Sequence, residues 1–515
     1  MMEDKYGMKI PEIPKEKFAF VQRSDEIHDE KLQTKAIGYL GDAWIRFRKN
    51  RSAVVAFVLI MILLLFALIV PVASHYTVAF RDGYYKMVLP RNSLFAGAGF
   101  WDGGKVEQQS EAGYLYLNSI GQETGKSAIM KVYDSFQDST GATFYKVRTD
   151  SYNAVGYVFV NLSDSEYQNL KKYQDETGIQ VMYPLQATMN KHFVRGNDGA
   201  NFWYVLEDES QGTGGKPVLD ENGGYIANYL TSDDPQKAGY DSLRIAGDGE
   251  NGVYYTYAQK NQTGYRVRVH YEEYFNYVNG FYASFLFGTN VYGQDIFTCL
   301  AVGARFSLLL AISVATINFI LGVIYGAIEG YYGGAVDMIL ERISDILADV
   351  PFMVVATLFQ LHLAAKVGVV WSLLFAFVLT GWVGTAHRVR TQFYRFKGQE
   401  YVLAARTLGA SDRRLIFKHI FPNSLGTIIT GAVMTIPGVI FSESMLSYLH
   451  IINLDTSATL TSIGTMLSNG KDYLSTYPHI LFFPAVFIAI LEICFNLFGN
   501  GLRDAFNPSL RGAED

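Results

Sequence analysis

Residues Gln399–Ser424 read QEYVLAARTLGASDRRLIFKHIFPNS, and this stretch decides the fold. It predicts two short helices joined at a glycine. Small and apolar residues fill the first (Tyr401, Val402, Leu403, Ala404, Ala405), and Gly409 has the left-handed freedom that ends it. Ser411 is an N-cap for the second helix, and Asp412 sits where the helix dipole favours an acid. Arg413, Arg414 and Lys418 then alternate with Leu415, Ile416, Phe417 and Ile420, and Pro422 is expected to stop the run. Uncharged runs flank the pair, Val367–Ala386 before it and Leu425–Phe441 after it. A helical elbow between two membrane spans follows. Arg388, Arg390, Arg406, Arg413, Arg414 and Lys418 place it on the cytoplasmic face.

The elbow resembles the coupling loop of ABC-importer permeases, whose pattern is Glu-Ala-Ala, three residues, Gly, about ten residues, then Leu-Pro. Ala404, Ala405, Gly409 and Pro422 fall on that pattern. Leu403 replaces the acid, with Glu400 one turn earlier, and Phe421 replaces the leucine before the proline. The wording around Ala404–Asp412 and His419–Asn423 is similar to the dipeptide and oligopeptide importer branch. Gly288-Thr289, Gly293-Gln294-Asp295 and the ending Phe495–Asp504 carry the same resemblance, from which Asn290 and Gln294 depart.

Half of the 515 residues are hydrophobic, yet mean hydropathy is barely positive. A mixture of membrane spans and a sizeable polar domain accounts for both. The net charge of −6 and the lack of a basic aromatic groove speak against nucleic acid. Cys299 and Cys494 are the only cysteines, so neither a disulfide framework nor Cys/His metal spacing exists.

Residues 1–50 are polar and end in the basic cluster Arg46, Arg48, Lys49 and Arg51, with no signal-peptide pattern. Ala53–Ala73 is uncharged and long enough to cross a bilayer about 30 Å thick, with its N-terminus held inside by that cluster. From residue 76 to 284 no run is long enough to span, and 18 Lys/Arg face 25 Asp/Glu. That region is expected to be an extracellular α+β domain, mainly antiparallel sheet. Two-residue alternation marks strands at Tyr114–Leu117, Phe144–Arg148, Tyr157–Val160, Phe202–Leu206, Tyr254–Tyr257 and Tyr265–Tyr271. Val218–Ile226 is a hairpin candidate, and Ser163 with Glu166 forms a capping box for a helix ended by Gly178. Its many tyrosines are read as sheet packing, with a binding surface as the alternative.

Five further spans are expected near Phe306–Ala327, Ile346–Leu363, Val367–Ala386, Leu425–Phe441 and Ile480–Phe498. The segments are therefore 1–50 in the cytoplasm, 51–75 the first span, 76–284 the extracellular insert, 285–505 a permease core containing the loop 399–424, and 506–515 a cytoplasmic tail. An even number of crossings returns both termini to the cytoplasm and leaves the elbow inside.

No catalytic motif is present. Gly212–Pro217 lacks the Walker spacing and carries proline after its lysine. The resemblance implies a chain that is not an enzyme and binds no cofactor, with ATP and magnesium on partner subunits. It implies a homologous second permease, two cytoplasmic ATPases, an extracellular peptide-binding protein and a bacterial cell membrane crossed several times. Coupling would rest on Glu400, Ala404, Ala405, Gly409, Ser411, Asp412, Arg413, Leu415, Ile416, His419 and Pro422. Intramembrane polar groups are costly and mark gate or pathway candidates: Glu443, Glu492, Asn318 and Gln360, with helix–helix contacts as the alternative. The insert is expected to dock or orient the binding protein. A nickel complex or glycoconjugate as cargo is the rival within transport. A membrane-anchored sensor or adhesin is the rival outside it.

Overall fold

The computed structural model describes residues 39–96, 99–188, 193–196, 199–207, 216–229, 254–452, 454 and 460–506. All of the expected tail but Phe506, and most of the N-terminal segment, fall outside the described residues, as do Gly212–Gly215. The chain opens with α1 (Tyr39–Lys49) and α2 (Arg51–Ala73), separated by Asn50, whose side chain caps α2 by accepting from the Ala53 N–H. Apolar residues surround α2 on every side, as a helix facing lipid requires.

The insert comes next. Its strands are β1 (Gly104–Ser110), β2 (Ile129–Gln137), β3 (Thr143–Asp150), β4 (Tyr157–Leu162), β5 (Met182–Tyr183) and β6 (Gln186–Thr188). β7 (Phe193–Arg195), β8 (Phe202–Val205), β9 (Ala227–Tyr229), β10 (Tyr254–Thr256), β11 (Ala258–Asn261) and β12 (Gly264–His270) complete them. All pairing is antiparallel: β1-β3-β2, β11-β12-β4 with β5 also on β12, β7-β8-β9, and β10-β6. Helices α3 (Glu111–Thr124), α4 (Asp164–Thr177) and α5 (Tyr271–Asn279) cover the sheets.

Five of the six expected strand segments fall on strands. Tyr114–Leu117 does not: it lies inside α3, because local caps outweigh its alternation. Ser110 accepts from the Gly113 N–H at one end, and Gly125 takes φ 77° at the other. Tyr271 likewise begins α5 and does not extend β12. The capping box of Ser163 and Glu166 is formed, with Gly178 left-handed at φ 69°. The hairpin candidate closes through a Leu219–Tyr225 bridge. Tyr85, Tyr152, Tyr167 and Tyr257 are fully buried, so these tyrosines are packing.

Two charged residues sit at the centre of the insert. Arg268 of β12 and Glu123 of α3 are both fully buried, paired through Nη1–Oε1 at 2.8 Å and Nη2–Oε2 at 2.7 Å. The Pro184 and Gly199 carbonyls accept further bonds from the guanidinium, which lies 3.4 Å from the Tyr157 ring centroid. His270 is buried nearby, with neither ring nitrogen hydrogen-bonded among the described residues. Burial pushes its pKa down to about 4, with the Lys126 and Arg268 charges acting the same way and Glu272 opposing. Because the unfolded imidazole titrates near 6.5, the insert is fully stabilised above that pH. It is expected to lose up to about 3 kcal/mol as pH falls from 6.5 towards 4. Melting curves at pH 7.5 and 5.0 should show the loss, and His270→Phe should shrink it.

After the insert the chain is helical: α6 (Ile296–Tyr332), α7 (Gly334–Ala348), α8 (Phe352–His362), α9 (Val369–Gly381) and α10 (Val383–Lys397). α11 (Glu400–Thr407), α12 (Phe421–Val433), α13 (Thr435–Tyr448), α14 (Ile463–Gly470) and α15 (His479–Phe506) follow. Among the described residues five helical stretches are long and apolar enough to cross a membrane: α2, α6, Val369–Lys397, Asp412–Tyr448 and α15. The expected third span is not one straight rod. Left-handed Gly333 and Gly334 reverse the chain, and α7 and α8 then meet at a 71° bend beside Pro351. Proline cannot continue the α7 hydrogen-bond ladder, which explains the break. Counting that pair as one crossing gives six.

Candidate functional site: the elbow and its anchorage

The elbow is held by the helix that leads into it. On α6, Gly322, Gly326 and Gly330 recur every four residues and form a groove against α10. A Cβ on Gly326 would collide with the Ala386 carbonyl, and one on Gly330 with Phe393 and the Arg390 carbonyl. Such small-residue stripes let membrane helices approach closely. The sequence carries this signal as Gly322-Val-Ile-Tyr-Gly326-Ala-Ile-Glu-Gly330, about 70 residues before the elbow. On α10, Arg390 pairs with Asp337 at 2.6 Å, Glu341 at 3.0 Å and Glu329 at 3.4 Å. The Tyr394 hydroxyl donates to Asp337 Oδ2 at 2.6 Å, and Lys397 Nζ donates to the Gly330 carbonyl at 2.8 Å. Helices α6, α7 and α10 are thereby locked where the elbow begins.

Within the elbow, Gly409 adopts φ 80° and turns the chain between α11 and the next helix, as its position predicts. Ser411 occupies the N-cap with extended geometry, but its hydroxyl makes no capping bond. Asp412 is used differently from the expected dipole partner: it accepts from the Tyr331 hydroxyl at the end of α6, while Arg406 donates to the Tyr331 hydroxyl oxygen at 3.3 Å. Pro422 does not stop the helix. A π-helical turn, Leu415–Ile420, widens the backbone so that the Phe421 N–H reaches the Ile416 carbonyl. The helix then absorbs a residue with no N–H and runs on to Tyr448.

This turn fixes which side chains face inward. Val402, Leu415 and Ile420 are fully buried against Tyr331, Val389 and Phe393, with Ala405 and Ile416 half-buried beside them. Glu400, Ala404, Arg413, Arg414 and Pro422 are exposed, and His419 is half-buried. The outward apolar groups are Leu403, Leu408 and Phe417, the last two 88% and 66% exposed. Leu415, singled out from sequence as a docking residue, therefore packs on its own bundle. Phe417 lies inside the π-turn, which sets its outward direction, and Leu408 stands at the C-cap of α11; no local sequence signal marks either as exposed.

The gate and pathway candidates are dispersed. Asn318 is buried where Gly381 leaves room, and its amide donates to the Phe377 carbonyl at 3.5 Å. Gln360 donates to the Val369 carbonyl at 3.2 Å, tying α8 to α9. Glu443 is fully buried on α13 and accepts from Ser307 and Ser447, each at 2.9 Å. Glu492 on α15 faces a cleft of about 300 Å³ with Phe441, Ser444, Met445 and Tyr448, and one of its carboxylate oxygens has no partner among the described residues. Cys299 and Cys494 are buried and take part in no disulfide. Among the described residues no cluster of His, Cys, Asp and Glu is arranged to hold a metal.

Five apolar stretches, six counting the bent pair, together with an anchored helical elbow define a multi-pass membrane protein. Comparison with known proteins then specifies it: the chain belongs to the binding-protein-dependent transport system inner membrane component family. Residues 318–512 match that family, and residues 38–90 match the N-terminal transmembrane domain of oligopeptide transport permease C. The chain is 45% identical over 225 residues to the oligopeptide transport system permease protein OppC of Bacillus subtilis, covering 44% of this chain and 72% of the relative. It is 42% identical over 226 residues to the dipeptide transport system permease protein DppC of the same organism, covering 44% of this chain and 69% of the relative. Haemophilus influenzae OppC matches at 41% over 226 residues, covering 44% of this chain and 70% of the relative. Most of the insert falls between the two family matches.

Proposed function

We propose that this chain forms half of the translocation pathway of an ATP-driven importer of di- and oligopeptides and couples it to cytoplasmic ATPases. The observation that carries the reading is the 45% identity to a peptide permease across 225 residues, in a chain whose elbow is anchored on three spans. A second, homologous permease completes the pathway, and ATP and magnesium reside on two ATPase subunits. Both termini and the elbow lie in the cytoplasm, following the basic residues at 46–51 and 388–418. The acidic insert lies outside, where it docks or orients the binding protein that delivers peptide. Its attachment is firm: Thr289 Oγ1 donates to the Tyr85 carbonyl at 2.6 Å, and Lys105 Nζ donates to the Tyr477 hydroxyl at 3.1 Å.

The test is purification of the tagged chain from its own membrane, together with uptake of a labelled tetrapeptide. ATPase subunits and a second permease should co-elute, and removal of the gene should abolish uptake. Intact peptide uptake with lost nickel or glycoconjugate uptake would move the cargo. Elution without any ATPase would sink the importer reading.

Gly409 gives a sharper check on the elbow. A Cβ there meets nothing within 4 Å, so replacement acts through the backbone. Gly409→Val is expected to cost about 1–2 kcal/mol of strain and to lower uptake several-fold. Gly409→Asn, which tolerates the left-handed region, should retain most of it. Equal uptake by both variants would show that the turn is not rigidly required.

A further inference from the structure

A cavity of about 430 Å³ opens at the inner end of the bundle between α10, α12 and α15. Arg388, Gln392 and Arg395 line it from one face of α10, spaced four and three residues apart, while Arg503 reaches it from α15. Thr427 faces them from α12, and among the described residues no carboxylate belongs to the lining. Gly431 is glycine for a spatial reason here: a Cβ would sit 2.9 Å from Arg388 Nε. The contrast with Arg390 is informative. Two residues further along α10, it engages three acids. Arg388 instead donates a long 3.4 Å bond to Thr385 Oγ1, Arg395 lies over the Phe396 ring, and neither they nor Arg503 makes a salt bridge among the described residues.

Three guanidiniums around one concave space repel one another unless an anion joins them. We infer that this cavity binds a phosphate-bearing anion, supplied by the headgroup of an anionic lipid in the adjacent leaflet or by free phosphate. The guanidinium fork matches phosphate oxygens in pairs, and Gln392 and Thr427 add neutral donors. Basic pockets between membrane helices on the cytoplasmic side suit such headgroups. The site lies where the helix entering the elbow meets the helix leaving it, so its occupant would brace both. Only the side of the membrane rests on the proposed topology.

The test uses the purified full chain, stripped of lipid in detergent. It is titrated with phosphatidylglycerol and phosphatidylcholine by native mass spectrometry, and with inorganic phosphate by melting shift. Phosphatidylglycerol should bind at least tenfold tighter than phosphatidylcholine. Arg388→Gln/Arg503→Gln should remove at least tenfold of that affinity, while Arg342→Gln, outside the cavity, should not. Displacement of the lipid by inorganic phosphate assigns the soluble source, and persistence of the lipid assigns the headgroup; both support the site. Should the double variant melt early, Arg395→Gln alone carries the comparison. Equal binding of the two lipids, or unchanged binding in the variants, overturns the inference. So does binding that appears only after residues 507–515 are removed, since the chain itself would then fill the cavity. Loss of peptide uptake with lipid binding intact would bear on the transport reading only.

Discussion

Replacing Leu408 and Phe417 together by aspartate is expected to abolish ATP-driven uptake while leaving the melting of the chain unchanged. Both side chains project from the elbow, 88% and 66% exposed, and neither belongs to the cluster that anchors it. An exposed Leu–Phe pair on a rigid helical knob suits a groove on a cytoplasmic ATPase. Central apolar anchors in such interfaces are worth about 2 kcal/mol or more each. Losing both, and placing carboxylates in the groove, should weaken ATPase association by about a thousandfold. ATPase co-purification and peptide uptake should fall together. Leu415→Asp is the contrasting variant: it places a charge in a fully buried site and should unfold the elbow, lowering the melting temperature as well. If the exposed pair can be changed without effect on co-purification, the elbow docks through another face.

The second large effect is expected in the insert. Arg268→Ala leaves the Glu123 carboxylate fully buried without its cation, a loss of about 3–5 kcal/mol. Asn201 still donates to Glu123 Oε1 at 3.2 Å, which is too little to solvate a charge. Limited proteolysis of the chain in nanodiscs should show the insert cleaved within minutes, with the membrane core intact. Replacing both partners, Arg268→Met with Glu123→Leu, should restore most of the resistance, because an apolar pair of similar volume leaves no orphan charge. A single variant as resistant as the native chain would mean that water reaches Glu123.

These two sites differ in how far local sequence reaches. The crossings α2, α6 and α15 were legible because a bilayer imposes a length and an uncharged composition that any reader of the chain can measure. Gly409 and the Ser163–Glu166 box were legible because a left-handed turn and a capped helix end are decided within four residues. The same locality misled at Tyr114–Leu117, where a two-residue alternation lies within a helix whose caps stand at Ser110 and Gly125. It misled again at Pro422, since a π-turn one step earlier changes what a proline does.

The sequence by itself therefore determined the membrane class, five of the apolar crossings, the elbow and the inserted sheet segments, all of which follow from hydration and backbone preferences read over short windows. Only the tertiary structure decided that Leu415 faces inward and Phe417 outward, that Asp412 is held by Tyr331, and that Arg268 finds Glu123 across 145 residues of chain. Each of those outcomes depends on which surfaces meet once the helices and sheets pack, and packing partners distant in sequence leave no periodic trace in the order of residues.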